Sequence, residues 1–225
     1  EVEALMRAED LHFGQLISWW NAANPWKNTP LPSPAVTQFE GNRFVHQLGG
    51  EDERDGGALL FFNLDKPIDI TAGKRHHPSS LGYARQAKAA GAWIDIEKPF
   101  WWDVPMWIAH GIGDSIGIAQ NHMHRSGVLD TEAWGKPRDR NRFPDAHGNG
   151  RWMQEIYYHL LNCGARIPPS AGSASGVLAN LVGYHHAYVH LDGPPTWEKW
   201  FAGLRAGCLF VSNGPYVPQR ENKVN

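Results

Sequence analysis

The chain has 225 residues, of which 42% are hydrophobic and 20% are charged, and this globular balance excludes an intrinsically disordered protein. Lysine and arginine together number 21 against 23 acidic residues, so the net charge of −2 excludes a strongly basic nucleic-acid binder. No apolar run approaches the roughly 18 residues that span a bilayer, so we expect no membrane-spanning segment.

The cysteine count and the first residues of the chain do not decide the cellular compartment of the protein. Cys163 and Cys208 are too few for a disulfide framework. The chain opens on Glu1 and lacks the basic and apolar regions of a signal peptide. The missing initiator methionine and the 11 tryptophans slightly favour a periplasmic or secreted protein. The 12 histidines suggest metal or proton chemistry, although scattered histidines are more often structural.

The first half of the chain predicts strands that alternate with helices. Apolar periodicity and caps, with Ser79 or Ser80 at the start of the second helix and Gly91 after it, set the boundaries. The predicted elements are a helix at 1–10, strands at 11–20, 43–48 and 58–64, a helix at 80–90 and a strand at 92–96. The acidic stretch 49–57 predicts a turn, in which residues 51–54 form a solvated charge cluster; the alternative is that one of their carboxylates points inward.

The second half continues the same rhythm. Its predicted elements are a helix at 105–110, a strand at 114–119, a polar loop at 130–150, a helix at 152–162, strands at 165–169 and 188–191, a helix at 196–206 and a strand at 208–212. Thr196 and Gly207 are the expected caps of the last helix. This alternation predicts βαβ units and a parallel sheet in one domain over 1–225. A barrel is favoured over an open doubly wound sheet.

Polar side chains follow the predicted strands at the edge where parallel α/β folds bind ligands. The segment from Asn121 to Arg125 is the sharpest motif, because His122 and His124 point the same way if the segment is extended. Two imidazoles on one side can hold Zn²⁺ or another divalent ion. The alternative is a pair of loop histidines that make ordinary hydrogen bonds.

Glu97 follows the strand at 92–96 and is a candidate third metal ligand or general base. A structural ion pair with Lys98 or Arg125 explains the presence of Glu97 at this position equally well. Two tryptophan pairs offer stacking surfaces, with packing as the alternative for at least one member of each pair. These pairs are Trp19-Trp20 and Trp101-Trp102.

The order of motifs resembles the PHP (polymerase and histidinol phosphatase) superfamily of metallohydrolases, most closely its CehA/McbA-like branch. The most specific part is the tail, where Leu204-Arg-Ala-Gly-Cys-Leu-Phe-Val-Ser-Asn-Gly-Pro215 resembles L-R-A-G-x-x-F-V-T-N-G-P. Residues 188–193 resemble Y-V-x-x-D-G, and the segments 89–99, 112–118 and 161–176 resemble internal strands of the family. The resemblance implies a distorted (β/α)7 barrel that hydrolyses phosphate, carbamate-type ester or amide bonds at one to three divalent metals.

Several metal-binding positions depart from the family pattern. The opening H-x-H is absent, so we expect upstream residues to supply the first strand of the barrel. Trp19 and Trp20 stand at the Asp and His of T-D-H, while Ala174 and Gly176 stand at the Asp and His of G-S-D-x-H. None of these four side chains can ligate a divalent ion, so the resemblance implies an altered site. A single Zn, Mn or Fe ion held by Glu97, His122 and His124 is the expectation.

Three functional hypotheses follow. The first is a metal-dependent hydrolase of a small ester, phosphoester or amide. Glu97 would be ligand or base, Lys98 or Arg125 would stabilise an anionic transition state, and Asn121 with the four tryptophans would line the substrate pocket. The second is a catalytically degenerate barrel that binds a glycan or aromatic ligand. The third is a structural or regulatory domain of a longer secreted chain.

Overall fold

The computed structural model describes residues 1–124, 127–129 and 135–214. The described residues form five α-helices, none of which is both long and apolar enough to cross a membrane. The helices are α1 (Val2–Ala8), α2 (Ser80–Ala89), α3 (Val104–Ala109), α4 (Asp145–Asn162) and α5 (Trp197–Ala206). The caps of α2 and α5 agree with the sequence: Ser79 Oγ accepts from the Leu81 amide, and Thr196 Oγ1 accepts from the Lys199 amide.

The main sheet of the described chain has seven strands and curls into a half-barrel. Its strands are β1 (Phe13–Trp20), β2 (Val36–Phe39), β3 (Arg43–Arg54), β4 (Gly57–Phe62), β5 (Trp93–Ile96), β6 (Ser115–Ala119) and β9 (Pro169–Ala171). Two small antiparallel pairs join β7 (Met123–His124) to β8 (Gly127–Val128), and β10 (His186–Val189) to β11 (Leu209–Ser212).

The sheet is mixed, so the prediction of a parallel sheet is wrong in part. Strands β1, β3, β5, β6 and β9 run in one direction, whereas β4 lies antiparallel between β3 and β5. The cause is the tight connection between β3 and β4, because only Asp55 and Gly56 separate them. A two-residue Asp-Gly loop is a strong hairpin signal and cannot join parallel strands.

Three predicted boundaries are also wrong. The expected turn at 49–57 lies mostly within β3, which continues to Arg54. Its Asp52 and Arg54 are buried rather than solvated, since they pair with each other on the side of the sheet that faces the helices. The expected loop at 130–150 overlaps α4, which already begins at Asp145. The strand expected at 165–169 lies later, at Pro169–Ala171.

One face of the sheet packs against the helices and forms the main hydrophobic core. The pairs Leu59 with Ile96 and Phe61 with Ile94 place four fully buried side chains on this face. Trp19 lies on the same face, stacks on Phe61 and donates its indole N–H to the Leu48 carbonyl at 2.9 Å. Burying such a large set of apolar side chains is the main source of stability for this half of the fold.

The concave face of the sheet carries the alternate residues of each strand. Near the amino ends of the strands, it is covered by a second cluster in which Trp93 packs with Phe201 and Leu204 of α5. Towards the carboxyl ends, the same face carries acidic side chains. The tail motif therefore has a structural role, since α5 closes one end of the concave face and leaves the other end polar.

Candidate active site

The carboxyl ends of the parallel strands meet at one edge of the half-barrel. Trp20 ends β1, Glu51 and Glu53 lie near the end of β3, and Glu97 follows β5 directly. Trp20 is in register with Glu51, so the two side chains leave neighbouring strands on the same face of the sheet. We call the group formed by Trp20, Glu51, Glu53, Asp95, Glu97, Lys98 and Asn121 the edge site.

Glu97 is the best-connected carboxylate of the edge site. Its Oε1 accepts from the Lys98 ammonium in a close ion pair and from Asn121 Nδ2 at 3.1 Å. The Lys98 side chain is only 3% exposed and lies 5.0 Å from the centre of the Trp101 ring. A buried ammonium needs such a carboxylate and an aromatic face to offset the loss of hydration.

The backbone also brings Glu97 close to β6. A Cβ atom built on Gly117 would overlap the Glu97 carbonyl oxygen, so only glycine allows the two strands to approach this closely. Asn121 is carried by the turn that follows β6 and therefore reaches Glu97 from the neighbouring strand. The predicted pairing of Glu97 with Lys98 is confirmed, whereas the alternative partner Arg125 lies outside the described residues.

Glu51 is a carboxylic acid that keeps its proton at neutral pH. Burial raises the pKa of Glu51 to about 8, and the negative charges of Glu97 and Glu53 add to the effect. Burial and the charge of Glu97 raise the pKa of Glu53 as well. A protonated acid beside an ion-paired carboxylate is the arrangement that acid–base catalysis requires.

Asp95 lies deeper on the concave face, one alternation before Glu97. Ser115 donates its hydroxyl to Asp95 Oδ1 at 2.5 Å, and Trp93 Nε1 donates to Ser115 Oγ at 2.8 Å. Burial raises the pKa of Asp95 to about 6, although the hydrogen bond from Ser115 opposes the shift. Three carboxyl groups with raised pKa values therefore share one end of the sheet, which marks it as a functional candidate.

A separate polar network fixes the end of β3 from the other face. Asn21 Nδ2 donates to Asp52 Oδ1 at 2.7 Å, and Asn21 Oδ1 accepts from the Glu53 amide at 2.7 Å. Asp52 also pairs with Arg54 at 2.8 Å. Because Asn21 ties the loop after β1 to β3, it holds the backbone that carries Glu51 and Glu53 in place.

One member of each tryptophan pair is buried, as the packing interpretation predicts. Trp19 and Trp101 are 0% and 4% exposed, so they belong to the core. Trp20 and Trp102 are 42% and 56% exposed, so their ring faces are open to a ligand. Substrate contact by these tryptophans and by Asn121 stays a prediction, for which Trp20 has the best position.

The histidines of the sharpest motif lie beyond Asn121 at the same end of the sheet. His124 belongs to the short strand β7, and its Nε2 is buried without a hydrogen-bond partner among the described residues. The His122 amide donates to Gln120 Oε1 at 2.8 Å, and its ring lies 6.2 Å from Phe100. Buried His185 reaches the Met123 carbonyl at 2.5 Å from the other side.

A divalent ion at a protein site needs several converging His, Cys, Asp or Glu side chains. The structure of residues 1–124, 127–129 and 135–214 contains no group of three His, Cys, Asp or Glu side chains that could hold a metal. Glu97 Oε1 already faces the Lys98 ammonium, a cation of the protein itself. The donor set therefore does not fit the metal centre that the family resemblance implies. The assignment of Glu97, His122 and His124 as ligands stays a prediction.

Sequence reasoning missed Glu51, Glu53 and Asp95. The available signal was the spacing of two residues between Glu51 and Glu53 and between Asp95 and Glu97, which places each pair on one face of a strand. The acidic, glycine-flanked composition of 49–57 is typical of a turn and obscures that signal for the first pair.

A solved structure with a similar fold is that of a two-domain protein from Bacteroides vulgatus, which contains a predicted PHP-like metal-dependent phosphoesterase. The alignment has a TM-score of 0.53 and 11% sequence identity, and covers 90% of this chain. The fold is compatible with a PHP-like barrel. This likeness concerns the fold alone and does not test the CehA/McbA-like branch or the (β/α)7 count. This chain spans 56% of the neighbour's length. No protein-family model and no curated protein matches the chain.

Proposed function

We propose that the chain is a PHP-like hydrolase that cleaves an ester, phosphoester or amide at the edge site. The observation that carries the proposal is the proximity of two carboxyl groups in different surroundings: Glu51, whose pKa is raised by burial, and Glu97, which is held in an ion pair with Lys98. Neutral-pH hydrolysis needs one group to take a proton from water and another to give a proton to the leaving group. The neighbouring structure adds support, since it contains a PHP-like phosphoesterase.

In this mechanism, Glu97 is the general base. Its Oε1 is held by Lys98 and Asn121, while its Oε2 is buried and has no hydrogen-bond partner among the described residues. That oxygen is therefore available to accept a proton from an attacking water. The Lys98 ammonium would stabilise the negative charge that develops on the substrate oxygen. Arg125 remains a proposed second cation at this step.

Glu51 supplies the proton for the leaving group. Because its pKa is about 8, it is mostly protonated at neutral pH and regains its proton readily after each turnover. Since the donors within residues 1–124, 127–129 and 135–214 do not fit a divalent ion, the steps of this mechanism use only the side chains of the protein.

The test is a turnover screen with chromogenic esters, phosphoesters and amides. Glu97→Gln and Glu51→Gln should each lower the rate on the best substrate by about 100-fold or more, as loss of a general base or acid does. Glu9→Gln, at an exposed carboxyl beyond α1, is the matched control and should retain full activity. Equal rates in all three variants would remove the edge site from the mechanism.

The second candidate is a binding module without catalysis. The exposed face of Trp20 favours it. A folded wild-type protein that turns over none of the three substrate classes, yet binds a ligand through Trp20, would establish this function instead.

A further inference from the structure

The edge site continues into a run of buried hydrogen-bond acceptors. Glu97 Oε2, Asn121 Oδ1 and Asn180 Oδ1 are each buried and have no partner within the described part of the chain. They lie along one connected path, because Asn121 donates to Glu97 and Asn180 Nδ2 donates to the Asn121 carbonyl at 3.0 Å. Asn180 is itself only 5% exposed and is also anchored to the Ser173 carbonyl at 2.9 Å.

Buried acceptors of this kind indicate the chemistry of their ligand. A buried oxygen that lacks a donor destabilises the fold, so native proteins pair nearly all such atoms with protein, water or ligand. The three oxygens belong to three side chains on separate segments, which favours a ligand with several spaced O–H or N–H groups over one with a single compact donor group.

The charges of the edge site disfavour a phosphorylated ligand. Glu53 and Glu97 bring carboxylates to this edge, and Asp95 lies beneath them. The single positive charge of Lys98 is partly neutralised by its ion pair with Glu97, so it can meet the partial charge of a transition state better than the full charge of a phosphate. A phosphate would therefore meet carboxylates and carbonyl-type oxygens rather than free cations or amide donors, and this arrangement is repulsive.

Trp20 provides the complementary apolar surface. Its indole is 42% exposed, ends β1 and lies in register with Glu51 on the concave face. A flat aromatic face beside polar side chains suits a ligand with an apolar ring face and a hydroxylated rim.

We propose that the edge site binds an uncharged saccharide, whose hydroxyls donate to Glu97, Asn121 and Asn180 while one sugar face packs on Trp20. This inference rests on the proposed hydrolase and narrows its substrates to esters or amides carried by a neutral sugar. It selects against phosphorylated sugars.

The test measures binding separately from turnover. Isothermal calorimetry with neutral disaccharides (cellobiose, maltose, xylobiose and chitobiose) is compared with glucose 6-phosphate and with spermidine as a polyamine probe. At least one neutral disaccharide should bind, and at least about tenfold more tightly than either charged probe. Tighter binding of glucose 6-phosphate or of spermidine, or no binding of any disaccharide, overturns the inference.

Variants locate the binding surface. Trp20→Ala should weaken disaccharide binding about tenfold or more, and Trp20→Phe should restore part of it. Tyr158→Ala, which removes an aromatic ring that is 57% exposed on α4, should leave binding unchanged. Equal affinity of the Trp20→Ala and wild-type proteins would overturn the inference.

The two proposals can fail independently. Saccharide binding without turnover of any ester or amide leaves this inference standing and refutes the hydrolase. Turnover of phosphoesters without saccharide binding supports the hydrolase and refutes this inference.

Discussion

The raised pKa of Glu51 makes the stability of the protein depend on pH in a predictable way. The pKa is about 8 in the folded protein, against an ordinary value of 4.5. At about 1.4 kcal/mol per pH unit, this difference corresponds to about 5 kcal/mol, an upper figure because part of the Glu51 surface stays exposed to solvent.

The sign follows from which state binds more protons. Below pH 4.5 both states are protonated, and the contribution of Glu51 to folding is fully present. As the pH rises towards about 8, the unfolded state ionises while the folded state keeps its proton, so the free energy of unfolding falls. Above the folded pKa, Glu51 is ionised in both states and the contribution is lost.

Glu51→Gln removes this titration, because an amide carries no proton to lose. Relative to the wild type, the free energy of unfolding of the variant should rise by up to about 1.4 kcal/mol per pH unit between about pH 5 and about pH 8. No further rise is expected at higher pH. Urea denaturation followed by tryptophan fluorescence measures the difference, and Glu9→Gln should show none of the gain. A flat difference for Glu51→Gln would mean that Glu51 is ionised at neutral pH, and its role as general acid would fail.

Three further predictions concern packing, the network beneath β3 and the metal. Gly50→Ala places a Cβ against the Trp19 ring and should cost about 1–3 kcal/mol of unfolding free energy, whereas Gly82→Ala, in an open position of α2, should stabilise by about 0.5–1 kcal/mol. If urea denaturation showed Gly50→Ala to be more stable than Gly82→Ala, that result would contradict this packing. Asn21→Ala should cost about 1–3 kcal/mol because buried Asp52 loses a hydrogen bond, with exposed Asn28→Ala as a near-neutral control in the same assay. Chelator should leave the Tm unchanged, and elemental analysis should find no stoichiometric metal; one equivalent of Zn, Mn or Fe that is lost in His122→Ala would instead establish the predicted metal centre.

Local features of the fold were predictable from the sequence because they depend on neighbouring residues. Ser79 and Thr196 cap their helices as expected, and Gly207 adopts φ 69° at the end of α5. The apolar runs that form β1, β4 and β5 were also recognised, since burial of a strand leaves a continuous or alternating apolar pattern. The polar residues after β5 and β6 were correctly expected to lie at one edge, because that expectation needs only the strand order.

The arrangement of the site depended on contacts between distant segments. The sequence places Glu51 in a charged stretch that is typical of a turn. Only its burial in β3, near the charge of Glu97, raises its pKa and keeps it protonated. The sequence likewise identified Trp19-Trp20 as a candidate stacking pair with one member expected in the core. Only the tertiary structure decided that the Trp19 ring lies in the core and that the Trp20 ring is exposed on the concave face, because alternation along a strand places neighbours on opposite faces and packing decides which face is buried.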